Sequence, residues 1–215
     1  MKRVLFAAVI TASLMTGTSA LAQSLPPARL GVLGGVSFAT LGGADVDDAN
    51  TRTGFVGGVS LTLPLRERLS LELNGLYSQK GAKASDQSES LTLKFDYIEV
   101  PILLRYDFTA EGVRPFVSGG VSLAYQTSCE AKAATADVSG EVDCSTLDSD
   151  PDIAFDVKKF DAGLAFGGGL DFPMANDRLF TLGARYVLGV TDVVKDQTVR
   201  NRAWQLYAGF SVPLR

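Results

Sequence analysis

The sequence predicts an all-β fold, an eight-stranded antiparallel up-and-down transmembrane β-barrel. Three observations predict it. Eight stretches of about 10 to 14 residues alternate apolar with small or polar side chains, the two-residue period of a strand whose faces differ. The links between them run long, short, long, short. Aromatic residues gather near strand ends on the apolar face, as amphipathic rings do at membrane–water boundaries.

The chain opens on what reads as an export signal, residues 1–22. Lys2 and Arg3 form a basic start, Val4 to Thr16 an apolar core, and Ala20-Leu21-Ala22 a small-residue cleavage site. The apolar run is short for a spanning helix, which needs roughly 20 residues. An uncleaved anchor is the alternative. The mature chain is expected to begin near Gln23, leaving residues 23–215 as one domain. A net charge of −4 offers no basic surface for nucleic acid, and the lack of histidine excludes a His-based zinc site or catalytic triad.

The strands are expected at 28–39, 52–63, 69–80, 91–108, 114–127, 158–172, 178–190 and 202–214. The second sets Phe55, Val59, Leu61 and Leu63 against Gly54, Gly58, Ser60 and Thr62. The third sets Leu69, Leu71, Leu73 and Tyr77 against Ser70, Glu72, Asn74 and Ser78. The seventh opposes Phe180, Leu182, Ala184, Tyr186 and Leu188 to Thr181, Gly183, Arg185 and Val187. The eighth opposes Trp204, Leu206, Ala208, Phe210 and Val212 to Gln205, Tyr207, Gly209 and Ser211. The fourth breaks the rule, because Lys94 and Asp96 share the parity of its apolar face while Leu93 and Phe95 do not. A bulge near Tyr97 would explain this. The favoured reading is that residues 91–96 rise above the bilayer, where both faces are wet.

A repeat recurs within strands at Gly34-Gly35-Val36-Ser37, Gly57-Gly58-Val59-Ser60 and Gly119-Gly120-Val121-Ser122. Phosphate-binding glycines would sit between a strand and a helix. Here they are expected to permit curvature and make room in a narrow lumen.

Links 64–68, 109–113 and 173–178 are tight and carry turn residues, whereas 40–51, 81–90, 128–157 and 191–201 are longer and polar. Outer-membrane barrels keep periplasmic turns short and external loops long, so both termini are expected to face the periplasm. A lipocalin-like soluble barrel would also alternate, with its apolar face inward. Against it stand a polar face of Gly, Ser and Ala, and two aromatic girdles. Phe38, Phe55, Tyr77, Tyr125, Phe160 and Trp204 lie toward the long links; Tyr106, Phe108, Phe172, Phe180 and Phe210 lie toward the short turns.

By parity Glu72, Glu99, Arg105, Asp161, Asp171 and Arg185 point into the lumen. Eight strands enclose a space that side chains just fill, so these charges are expected to pair as a plug. A narrow polar path is the second reading. A catalytic pair, Glu72 with Glu99, is the third, and no nucleophile elbow, metal motif or phosphate loop accompanies it. Cys129 and Cys144, both in segment 128–157, are expected to form a disulfide in an exported chain, with two free thiols as the alternative. That segment is strongly acidic. Its Asp148-Ser149-Asp150-Pro151-Asp152 begins like a calcium loop but lacks the sixth-position glycine and closing glutamate. The other readings are a solvated loop or a contact surface for an extracellular ligand.

The run Asp96-Tyr97-Ile98-Glu99-Val100-Pro101-Ile102-Leu103-Leu104-Arg105-Tyr106, followed by Arg114-Pro115-Phe116, resembles a signature of the small outer-membrane β-barrel domain family, the porin-family or PorT-like proteins. The resemblance spans the mature chain. It implies an eight-stranded barrel inserted into the outer membrane by the usual assembly machinery, and brings no catalytic residues or cofactor. One departure is the ending Val212-Pro213-Leu214-Arg215, where many such barrels end in an aromatic residue. The expected role is non-enzymatic, structural or adhesive through the external loops, with a narrow channel for small solutes as the alternative.

Overall fold

A computed structural model of the chain describes residues 25–42, 50–85, 89–135, 139–143, 159–192 and 199–214. Its strands are β1 (Arg29–Gly42), β2 (Asn50–Pro64), β3 (Leu69–Ser85), β4 (Glu89–Asp107), β5 (Arg114–Thr135), β6 (Ser139–Asp143), β7 (Phe160–Met174), β8 (Arg178–Gly189) and β9 (Arg200–Pro213). Eight of them close a cylinder in the order β4-β3-β2-β1-β9-β8-β7-β5, with β4 pairing β5. Every pairing is antiparallel, and β1 meets β9 along its whole length from Arg29↔Pro213 to Gly42↔Arg200. The short β6 stands outside the cylinder and pairs with the far end of β5, Glu130 to Ala134.

The faces are inside out by the standard of a soluble protein. Val32, Val36, Val117, Val121, Leu164, Leu182 and Leu206 are exposed on the outer wall. Ser37, Ser78, Glu99, Ser122, Arg185 and Gln205 are buried within it. Nothing but lipid makes such a wall favourable, since burying that apolar area against hydrocarbon replaces its exposure to water. This rules out the lipocalin-like arrangement.

The aromatic girdles form as expected. Phe55, Tyr77, Tyr125, Phe160 and Trp204 are exposed toward the long links, and Tyr106, Phe108 and Phe180 toward the short turns, while Phe38, Phe172 and Phe210 are partly covered. Neighbouring rings brace one another across strands, with Tyr186 and Trp204 centroids 5.0 Å apart and Phe172 and Phe180 6.2 Å apart.

Two expectations need correction. In β4 the alternation never slips, because its register with β3 is continuous from Tyr106 to Ser90. Phe95 and Tyr97 turn inward and are fully buried, so residues 91–96 do not have two wet faces. The irregularity near Tyr97 lies in the partner: β5 carries one extra residue, Thr127, between Gln126 and Ser128. The second correction concerns the long links. Residues 81–85, 89–90, 128–135 and 139–143 are strand. Beyond the bilayer a ladder needs no apolar alternation, because backbone pairing alone carries it.

Within β4, Pro101 interrupts the β3 ladder between Leu73↔Ile102 and Leu76↔Glu99, as a residue lacking an N–H must. The short turn between β7 and β8 places Asn176 and Asp177 at φ 60° and 57°, the left-handed region that Asn and Asp tolerate. The glycine repeat has a steric basis. A Cβ at the second glycine of each copy, Gly35, Gly58 or Gly120, would collide with the carbonyl oxygen of Leu206, Gly75 or Ile102 on the adjacent strand.

Adjacent glycines therefore separate space from collision. Gly34, with nothing within 4 Å of an added Cβ, should accept alanine unchanged. Gly35→Ala should lose about 1–3 kcal/mol from overpacking, read as a lowered urea midpoint for the barrel refolded in vesicles. Leu206→Arg on the lipid face should cost about 2–4 kcal/mol in the same assay, as a charge near the bilayer midplane does.

Candidate functional site in the barrel lumen

All six inward charges expected from parity are buried inside the cylinder. Alternation on β3, β4, β7 and β8 aims them there, and they fall into three tiers. In the tier nearest the short turns, Arg105 bonds Asp107 at 2.8 Å, pairs with Asp171, and has Glu72 at 3.8 Å. Its guanidinium carbon sits 3.6 Å from the ring centre of Phe116. Thr181 Oγ1 donates to Asp171 at 2.6 Å, and Asn74 Nδ2 to Glu72 at 2.9 Å. Arg185 joins the same tier from above, 3.3 Å from Glu72 and 5.4 Å from the Tyr207 ring centre.

The middle tier centres on Glu99. Lys80 Nζ lies 3.0 Å away, Ser122 Oγ donates at 2.7 Å, and Gln205 Nε2 donates at 3.4 Å while also reaching Ser78. In the upper tier Asp161 accepts from Thr191 Oγ1 and Asn201 Nδ2, each at 2.8 Å, and Asn201 also donates to the Tyr97 hydroxyl at 3.1 Å. Phe95, Tyr97 and Ala124 pack together above it, with Leu41, Leu93 and Cys129 alongside.

Each carboxylate is thus partnered, with Arg105 shared among Asp107, Asp171 and Glu72. Removing an ion from water costs several kcal/mol, and only close pairing with extra hydrogen bonds offsets it. The arrangement supplies both for Glu72, Glu99 and Asp171. Glu72 and Glu99 do not form a two-carboxylate pair, because they belong to different tiers and each is neutralised by a different cation. Asp161 departs from the expected charge network in another way, since its described partners are neutral donors.

Sequence reasoning missed Lys80, which shares the parity of Glu72 and is 2% exposed. Counting that parity to the end of the strand would have found it. Asp107, Tyr97, Asn201, Gln205 and Tyr207 were also missed as partners, being polar or aromatic residues whose inward parity alone marks them. Below the first tier, at the short-turn end, a cavity of about 450 Å³ is lined by Arg29, Ser60, Glu72, Arg105, Asp171 and Tyr207 among others.

Cys129 lies on β5 opposite Phe95. Cys144 and the Asp148–Asp152 run fall outside the described residues. Among the described residues, no group of three or more His, Cys, Asp or Glu could hold a metal ion.

A closed eight-stranded cylinder with a lipid-compatible wall and a charge-filled lumen defines an integral outer-membrane barrel, embedded in the lipid bilayer. Residues 21–195 match the family described as outer membrane protein β-barrel domain. The chain belongs to that family. No curated protein matches it in sequence. Among solved structures it is similar to Neisserial surface protein A, with 16% identity, 86% of this chain and 97% of that one covered, and a TM-score of 0.50. OprG from Pseudomonas aeruginosa matches at 12% identity, covering 88% and 98%, with a TM-score of 0.49. The outer membrane enzyme PagL matches at 11% identity, covering 83% and 99%, with a TM-score of 0.38.

Lys80→Met should destabilise the barrel by about 3–5 kcal/mol, because it leaves Glu99 buried and unpaired. Adding Glu99→Gln should recover most of that loss. Urea unfolding of both variants in lipid vesicles checks it, and equal midpoints for single and double variants would contradict the pairing.

Proposed function

We propose that the protein is a non-enzymatic outer-membrane barrel whose lumen is a structural plug and whose activity is surface contact through the sheet at its long-link end. The observation that carries this reading is the stacking of Arg105, Arg185, Glu99 and Tyr97 at successive levels of one narrow bore, each buried and each partnered. A site meant to turn over substrate keeps a reactive group accessible. The six inward charges are each less than a tenth exposed, and the three that line the cavity at the short-turn end, Glu72, Arg105 and Asp171, are tied into one ion-paired cluster.

The contact reading draws support from the strands that continue past the external girdle. β5 runs 22 residues and β6 pairs with its end, so part of acidic segment 128–157 is built on a rigid ladder. Its carboxylates suit a partner presenting a basic surface. The β5–β6 register pairs Glu130 with Asp143. Cys129 stands at the end of that ladder, and an exported chain with two cysteines favours its pairing with Cys144. The cysteine staple is therefore part of this proposal. So are cleavage of residues 1–22, exposure of the long links to the exterior, and insertion of residues 23–215 by the outer-membrane assembly machinery.

Planar-bilayer recordings should be silent at all voltages. Discrete conductance that changes in Arg105→Ala or Arg185→Ala would overturn the plug in favour of a solute channel. Vesicles carrying the refolded barrel should adhere to wells coated with a basic peptide, and deletion of residues 130–143 should abolish adhesion while leaving heat-modifiable migration of the folded barrel intact. Adhesion that survives the deletion would sink the contact assignment.

A further inference from the structure

The outer wall carries a second arrangement that the lumen does not explain. At the long-link end of β9, Arg200, Arg202, Trp204 and Leu206 share one parity and project outward. Same-face neighbours on a strand stand roughly 6.5 Å apart, so these four climb the wall in sequence. Leu206 faces Val36 and Ala184, Trp204 faces Phe38 and Tyr186, Arg202 faces Thr40 and Leu188, and Arg200 faces Gly42. Read upward, the order is aliphatic, aromatic, guanidinium, guanidinium. A leaflet has the same order of layers: acyl chain, interface, phosphate.

Both arginines keep guanidinium donors open to the outside. The Arg202 guanidinium rests on Gly42, where an added Cβ would stand 2.8 Å from its Cζ. It therefore lies along the wall above the Trp204–Tyr186 pair. It has no ion pair with the described residues. Arg200 bonds Asp192 at 3.0 Å through Nε, one of the five donors of its fork. On the far side of the barrel Lys94 is matched by Glu130 at 3.4 Å. In a chain of net charge −4, cationic excess on this lipid-facing strip runs against the overall balance. Planar guanidinium forks suit phosphate oxygens, and the rings beneath suit the sugar–acyl boundary.

We infer that Arg200 and Arg202, above the Trp204–Tyr186 pair, seat the phosphorylated sugar headgroup of an outer-leaflet glycolipid. The inference rests on the proposed orientation, with the long links outside. Trp204 is the only tryptophan of the chain, so its fluorescence reports on this seat alone.

The full chain is refolded in phosphatidylcholine vesicles and titrated with lipid A bearing a headgroup quencher, in bisphosphorylated and phosphate-free forms. The wild type should be quenched at much lower bisphosphorylated than phosphate-free lipid. The R200Q/R202Q variant should need about 30-fold more of the phosphorylated form, the effect of removing two basic side chains near an anionic surface. The R66Q/R68Q variant, altered at the opposite end, should match the wild type. Identical curves for wild type and R200Q/R202Q, or for the two lipids, would overturn the inference alone. A wild type that fails to insert, seen as loss of protease protection, would overturn the membrane reading and this inference with it.

Discussion

In hydrocarbon no water is present to satisfy a peptide group, so each N–H and C=O must find its partner inside the protein. For a chain of strands the only complete answer is a cylinder. The β1–β9 pairing supplies it, joining the first and last strands over 14 residue pairs. The other main features follow from that closure at eight strands. The wall must be greasy outside, the bore must be narrow, and whatever faces inward must fit a space with room for little beyond side chains. The glycines at 35, 58 and 120 answer the second demand, letting neighbouring backbones approach where a methyl group would strike a carbonyl.

A narrow bore turns electrostatics into architecture. Glu72, Glu99 and Asp171 come from different strands than Arg185, Lys80 and Arg105, with one in-strand exception, Arg105 with Asp107. Arg185–Glu72 and Arg105–Asp171 therefore tie non-adjacent strands through the lumen, whereas Lys80–Glu99 joins the neighbours β3 and β4. Such pairs are weak evidence for net stability, since a well-packed apolar lumen of equal volume could do as well. Their contribution is specificity of arrangement. A strand shifted by one residue would carry its charge out to lipid and its leucines into the polar bore.

Much of this was legible in the residues. Parity alone located the eight barrel strands, the two girdles and all six inward charges, because a lipid-facing wall imposes a strict two-residue period. Legibility failed where that constraint lapses. Past the girdle at the long-link end β3, β4 and β5 continue as strands through Lys83, Ser90 and Ala133 without apolar alternation, held by backbone pairing that no side chain announces. Leu93 and Phe95, out of step with the apolar face that Lys94 and Asp96 share, read as a stretch with two wet faces because apolar side chains were expected on the outer wall, whereas Phe95 is buried inside. The extra residue at Thr127 carries neither glycine nor proline to mark it. Lys80 escaped for a simpler reason: it lies at the boundary where the expected strand stopped.

The meeting of Arg29 with Pro213 also sets a timetable. The opening strand of the cylinder is made well before its mate, so during synthesis the nascent chain carries a lone edge with no companion available. Intermediates shortened at the C-terminus keep that raw edge for good, whatever hairpins they have formed. Completion is consequently all or nothing, because an unpaired strand edge is open to pairing with a neighbouring chain.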